Sequence, residues 1–185
     1  CRRGFSEFFL KAGLAGRMPS VIACGSRRNA YEQFCLRVRK LGPDEAAVLL
    51  VDSESVVAGA RWAHVGRRAG DGWVAPAGAT ENDLHFMVVT MEAWFFADRQ
   101  ALADYYGRGF RADALGPDGP VESIGKAELY HRLAQASAGS KKGAYSKGRH
   151  SFSILVEIDP ARVRKASPEH CGRLLDWIDG LGRTA

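Results

Sequence analysis

No apolar run in this chain approaches the length needed to cross a bilayer, and the first residues lack the basic, apolar and small-residue order of a secretory leader. Those absences point to a soluble, cytoplasmic protein. The four cysteines, Cys1, Cys24, Cys35 and Cys171, form no CxxC pair and no zinc-type spacing, which argues against a stapled secreted scaffold and a zinc module. Cys24 closes an apolar run and Cys35 falls on an apolar helix face, so both are expected as core thiols in a reducing compartment. No P-loop (GxxxxGK followed by Ser or Thr), no GxGxxG after a strand and no GxSxG elbow is present, so those routes to nucleotide binding and serine catalysis lack support. Nor is there an excess of acid. The 26 basic residues stand against 21 acidic ones, a net +5 that permits anionic partners without establishing them. With 46% hydrophobic and 25% charged residues, the 185-residue chain reads as one globular domain, 1–185.

What is present is organised around Glu45–Glu54, EAAVLLVDSE. The run Ala46 to Val51 ends abruptly in Asp52, Ser53 and Glu54. A short apolar run bounded by turn formers predicts a strand buried on both faces, as in a parallel sheet covered by helices. In such sheets functional groups gather beyond the carboxyl ends of the strands. If the extended geometry continues, Asp52 and Glu54 project from the same side, and two neighbouring carboxylates favour a cation between them. A hard divalent ion such as Mg²⁺ suits that arrangement, while two acids opening a solvated loop is the plain alternative.

Along the rest of the chain, Gly4–Ala15 places Phe5, Phe8, Phe9 and Ala12 at helical spacing. Ser20–Cys24 is a strand candidate, and Asn29 is read as the cap of a second helix that ends at Gly42-Pro43. Helix, strand, helix, strand is a βαβ rhythm without its opening strand, so the chain is expected to start just after one. Residues 55–80, rich in Gly and Ala, read as an irregular excursion. A further strand is expected in Leu84–Thr90 and a helix over Ala93–Tyr105. Lys126–Gln135 reads as another helix, followed by a polar, basic loop at 137–150. Ser151–Ile158 fits either a strand or a helix. Asp159-Pro160 opens a short helix, and Glu169–Leu181 forms the last.

Three acids, Asp52, Glu54 and Glu92, fall at predicted strand ends, which is how a Mg²⁺ site for phosphoryl transfer is assembled. A carboxylate at a helix start, favoured by the macrodipole, is the alternative for Glu92. Lys141, Lys142, Lys147, Arg149 and His150 crowd one stretch around Tyr145. Such a loop suits a phosphate backbone, with Lys147 set against charge that builds up on cleavage; a solvated loop is the alternative. His85 reads as a core histidine, and Trp94 and Trp177 as core rings.

VDSE after a central strand, then MEAWFFAD (Met91–Asp98), then KKGAYSKGRHS (Lys141–Ser151) together resemble a bacterial Toprim-like family, domain of unknown function 4276. The resemblance runs from about residue 3 to 178. Its marks are Glu92 with Trp94 and Asp98, and Tyr145 two residues before Lys147. It implies a Rossmann-like, mostly parallel sheet flanked by helices, with the first strand and its glutamate upstream of Cys1. It also implies metal-dependent phosphodiester chemistry with Mg²⁺ or Mn²⁺. Carried over, Asp52 and Glu54 match the acidic pair, with Glu in place of the usual second Asp, and Glu92 matches the family's later glutamate. Lys147 matches its basic position. Members similar to this one accompany ABC- or AAA-type ATPases in bacterial antiviral defence.

The reading that follows is a nuclease or nuclease-like effector. Asp52, Glu54 and Glu92 hold metal, Glu92 and Lys147 serve catalysis, and Lys141, Lys142, Lys147 and Arg149 contact DNA or RNA. An ATPase partner and a homo-oligomer fit it; a membrane does not. Two other classes compete: a catalytically degenerate Toprim scaffold that docks on an ATPase, and a receiver-like domain phosphorylated on Asp52.

Overall fold

The computed structural model of the protein describes residues 1–181. Of the apolar run, only Leu49–Asp52 is paired, forming β1. It runs parallel to β2, Leu84–Met87, with Leu49 opposite Leu84, Leu50 opposite His85, Val51 opposite Phe86 and Asp52 opposite Met87. Side chains alternate across a strand. Leu49, Val51, Leu84 and Phe86 therefore enter one apolar cluster, while Leu50 and Met87 enter the other. The expected burial on both faces is present, although the sheet among the described residues has just two strands.

Helices supply both covers. In chain order they are α1 (Arg2–Lys11), α2 (Arg27–Val38), α3 (Arg61–Arg67), α4 (Glu92–Phe96), α5 (Arg99–Tyr106), α6 (Lys126–Ser137), α7 (Lys147–Glu157), α8 (Pro160–Ala166) and α9 (Arg173–Leu181). The smaller cluster sets Phe34 of α2, Trp62 and Val65 of α3, and Trp73 against the sheet. The larger one gathers α1 and α4 to α9 around Trp94, which is fully buried and stacked on Phe8 with ring centroids 5.0 Å apart. Truncating Phe8 there is expected to cost about 3–5 kcal/mol. Gly4 lets α1 approach α7 closely, since a Cβ at that position would lie 3.0 Å from the Phe152 carbonyl oxygen. Mixed α/β architecture with helices on both faces of a small parallel sheet is the result. Among the described residues, no helix is long and apolar enough to cross a membrane.

Several local expectations change. Ser20–Cys24 joins no ladder, and Ser26 rather than Asn29 caps α2, its hydroxyl accepting from the Asn29 N–H at 3.1 Å. The 55–80 excursion contains α3. Ala93–Tyr105 is broken into α4 and α5 at Asp98. Lys147 opens a helix instead of lying in a loop, and this settles Ser151–Ile158 as mainly helical. Cys24 and Cys35 are partly exposed, so neither is a core thiol, whereas Cys171 is fully buried with its thiol pushed up to about 12 by that burial.

Candidate active site

Asp52 is the last residue of β1 and lies on the same face as Leu50, toward the larger core. Its Oδ1 accepts the Met91 N–H at 2.8 Å, and its Oδ2 lies 3.2 Å from the Lys147 ammonium. Glu92 begins α4 just past β2 and is fully buried. Its Oε1 accepts a 2.6 Å hydrogen bond from the Tyr145 hydroxyl, with Ser151 Oγ 3.4 Å away. Its Oε2 lies 3.7 Å from Lys147 Nζ and 3.5 Å from the Tyr130 hydroxyl. Lys147 and Ser151 stand one turn apart on α7, and Lys147 also donates to Tyr130 on α6 at 3.1 Å. Each carboxylate is thus fixed by donors at one oxygen and turns the other toward the same ammonium.

The charges respond accordingly. Burial pushes Asp52 above the ordinary carboxylate value, against Lys147 and the Met91 N–H, which pull it down. At Lys147 burial acts in the lowering direction, but Asp52, Glu92 and Tyr130 outweigh it and hold the ammonium above the usual lysine value. The two ends of the pair differ because Asp52 is largely enclosed whereas half of the Lys147 side chain meets solvent. Tyr145 is driven up by burial and then by the Glu92 charge beside it, so its hydroxyl stays a donor.

Of the four residues expected at the catalytic centre, Asp52, Glu92 and Lys147 are brought together and Glu54 is not. The extended geometry that would align Glu54 with Asp52 ends at Asp52, and Glu54 takes a left-handed φ of 68°. Its N–H donates to the Val89 carbonyl, and its carboxylate pairs with Lys126 at 2.5 Å. Among the described residues, no group of three or more His, Cys, Asp or Glu side chains is placed to hold a metal ion. Asp52 at the end of β1 and Glu92 at the start of α4 each turn one oxygen to Lys147, where the structure corrects the strand-end expectation for Glu92 to a helix start, and Mg²⁺ is commonly held by one or two carboxylates plus waters and substrate phosphate. The donor set of Asp52 and Glu92 therefore fits such an ion.

Lys141, Lys142 and Arg149 are exposed and make no ion pair with the carboxylates of this cluster. Lys142 lies over the Tyr105 ring, 4.5 Å from its centroid. Sequence reasoning missed Tyr130, Ser151 and Lys126. A signal existed in helical spacing: Lys126 and Tyr130 are four residues apart on α6, as are Lys147 and Ser151 on α7.

A family model described as Domain of unknown function (DUF4276) matches residues 1–179. Comparison with curated proteins and with solved structures gives no match.

Proposed function

The chain belongs to the DUF4276 family, and on that premise we propose that the cluster at the end of β1 is the centre of a divalent-metal-dependent nuclease acting on nucleic-acid phosphodiesters. One observation carries this reading. Asp52 Oδ2, at the end of β1, and Glu92 Oε2, at the start of α4, meet at Lys147 Nζ at 3.2 and 3.7 Å. These are the oxygens that would hold Mg²⁺ or Mn²⁺, and a bound ion supplies Lewis-acid activation of the phosphate and a more acidic water. The chain's own groups do the rest. The Met91 N–H aims Asp52, and Tyr145 with Ser151 aims Glu92. Lys147, half exposed, can turn its ammonium to a phosphate oxygen on which charge develops. The parallel pair covered by helices supports a Toprim-like Rossmann arrangement as part of this proposal, and the family resemblance adds an ATPase partner in antiviral defence.

The test is cleavage of DNA and RNA with Mg²⁺ or Mn²⁺ by the wild type, Asp52→Ala and Glu92→Gln. Loss of cleavage by at least about a hundredfold in both variants is expected, because each removes a group acting on the reacting phosphate. Cleavage that is equal in all three removes the site. A second reading, the non-catalytic scaffold docking on an ATPase, is favoured by the way Lys147 and Lys126 already neutralise Asp52 and Glu54. ATPase association with no Mn²⁺ binding, followed by electron paramagnetic resonance, would select it.

A further inference from the structure

Lys141 and Lys142 lie in the loop between α6 and α7, and Arg149 on α7, all exposed. Against that loop lies a second one, from the end of α5, carrying Arg108 and Arg111, also exposed. The two cross backbone to backbone at a glycine pair. A Cβ on Gly109, whose φ is +91°, would stand 2.1 Å from the Gly139 carbonyl oxygen, and a Cβ on Gly139 would stand 2.9 Å from the Gly109 oxygen. The Arg111 N–H donates to the Ala136 carbonyl at 2.8 Å and locks the crossing. Lys142 reaches back to the Tyr105 carbonyl and ring, joining the same two segments.

None of these five cations has a carboxylate partner among the described residues. The acid nearest to them in sequence on the α5 side, Asp104, is engaged by Gln100 at 2.9 Å, and Asp113 is the one acid of 107–115. The rings of the neighbourhood are spent internally: Phe110 stacks on Tyr106 with centroids 5.4 Å apart, and Lys142 covers Tyr105. Phe152, on α7 three residues beyond Arg149, is an exposed ring and leans on Phe5 with centroids 6.4 Å apart. Among the described residues, the two loops themselves expose no ring and no large apolar side chain that could enter a membrane.

We propose that these two crossed loops form one track for the sugar–phosphate backbone of a nucleic acid, continuous with Lys147 through α7 and indifferent to base sequence. It rests on the nuclease reading above and extends it, since Arg108 and Arg111 come from a part of the chain that reading does not use. Cations without carboxylate partners, on loops that expose no base-reading group, give salt-dependent, sequence-independent binding.

The experiment is fluorescence anisotropy of a labelled DNA duplex with EDTA present, so that binding is read without cleavage. For Arg108→Ala/Arg111→Ala, affinity falls and the loss of affinity between about 50 and 200 mM salt shrinks about tenfold, two phosphate contacts having gone. Gly109→Ala, which keeps every cation but forbids the crossing, weakens binding in the same direction. Unrelated duplex sequences bind equally to the wild type. An unchanged salt slope in the double variant overturns the track, as does tighter binding to phosphatidylserine vesicles or polyglutamate than to the duplex. The two proposals fail separately. Binding with this slope but no cleavage in Mg²⁺ keeps the track and loses the nuclease, whereas cleavage with unchanged binding by the double variant does the reverse.

Discussion

At Asp52 two influences oppose one another. Burial disfavours its charge and leads, Lys147 and the Met91 N–H favour it, and Glu92 adds repulsion, leaving the carboxyl above its ordinary value. A folded value above the unfolded one means that ionisation costs stability at neutral pH, and that the cost fades as pH falls through the folded value toward the unfolded one. Asp52→Asn keeps the acceptor for Met91 and removes the charge, while Lys147 retains Glu92 and Tyr130. The variant is therefore expected to melt no lower than the wild type at pH 7, with any gain shrinking in acid, even as cleavage disappears. Thermal melts at pH 7 and pH 4 check this, and a clear fall in Tm at pH 7 contradicts it.

Among the elements, the break between α4 and α5 shows how one carboxylate can serve two helices. Asp98 is nearly fully buried; its Oδ1 accepts the Ala101 N–H at 3.2 Å and its Oδ2 the Asp159 N–H at 2.9 Å, so it caps α5 and fixes the residue that precedes α8. Asp98→Ala removes a cap, typically worth about 1 kcal/mol, and strands a buried donor at about 1–3 more. A loss of about 2–4 kcal/mol in urea unfolding is expected, with duplex affinity in EDTA unchanged in the folded protein; a loss under about 1 kcal/mol would remove this role. Asp98, one mark of the family resemblance, thus works in the frame and not at the reacting centre. The same contrast explains what the sequence could and could not tell. Acids after apolar runs and a cationic stretch expose Asp52, Glu92 and Lys147, because strand alternation and charge are local patterns. Glu54 was misplaced because a left-handed turn at a non-glycine residue leaves no local mark. For Tyr130 and Ser151 the four-residue spacing to Lys126 and Lys147 marks a shared helix face but not the partner, which arrives only with another helix. The split of Ala93–Tyr105 does leave a local mark, an Asp three residues before Ala101 that caps α5, whereas the second bond of Asp98, to Asp159, joins a segment 61 residues away and is not readable.

For the molecule as a whole, the sheet between two apolar clusters makes His85 a sensor of acid. It faces the larger core from β2, is nearly fully buried, and its Nε2–H donates to the Asn82 carbonyl at 2.8 Å with Trp177 edge-on at 5.9 Å. Burial, then the cations Arg173, Arg61 and His170, lower it from 6.5 to about 4, against the Asn82 carbonyl, which raises it. A depressed folded value means that the unfolded chain takes the proton first, so stability is intact above 6.5 and drains away as pH falls toward 4. Across that window the linkage is worth about 3 kcal/mol, a large part of the roughly 5–15 kcal/mol that holds a domain together. Urea midpoints of the wild type should therefore drop between pH 7 and pH 4. His85→Gln, which can still donate to Asn82 but takes no proton, should flatten that drop while lowering stability at pH 7. His170 is also lowered by burial, against Glu122, and its charge bears on His85, so His170→Gln should trim the acid slope without abolishing it. An acid slope identical in wild type and His85→Gln would mean that the histidine is not charged on unfolding in that window.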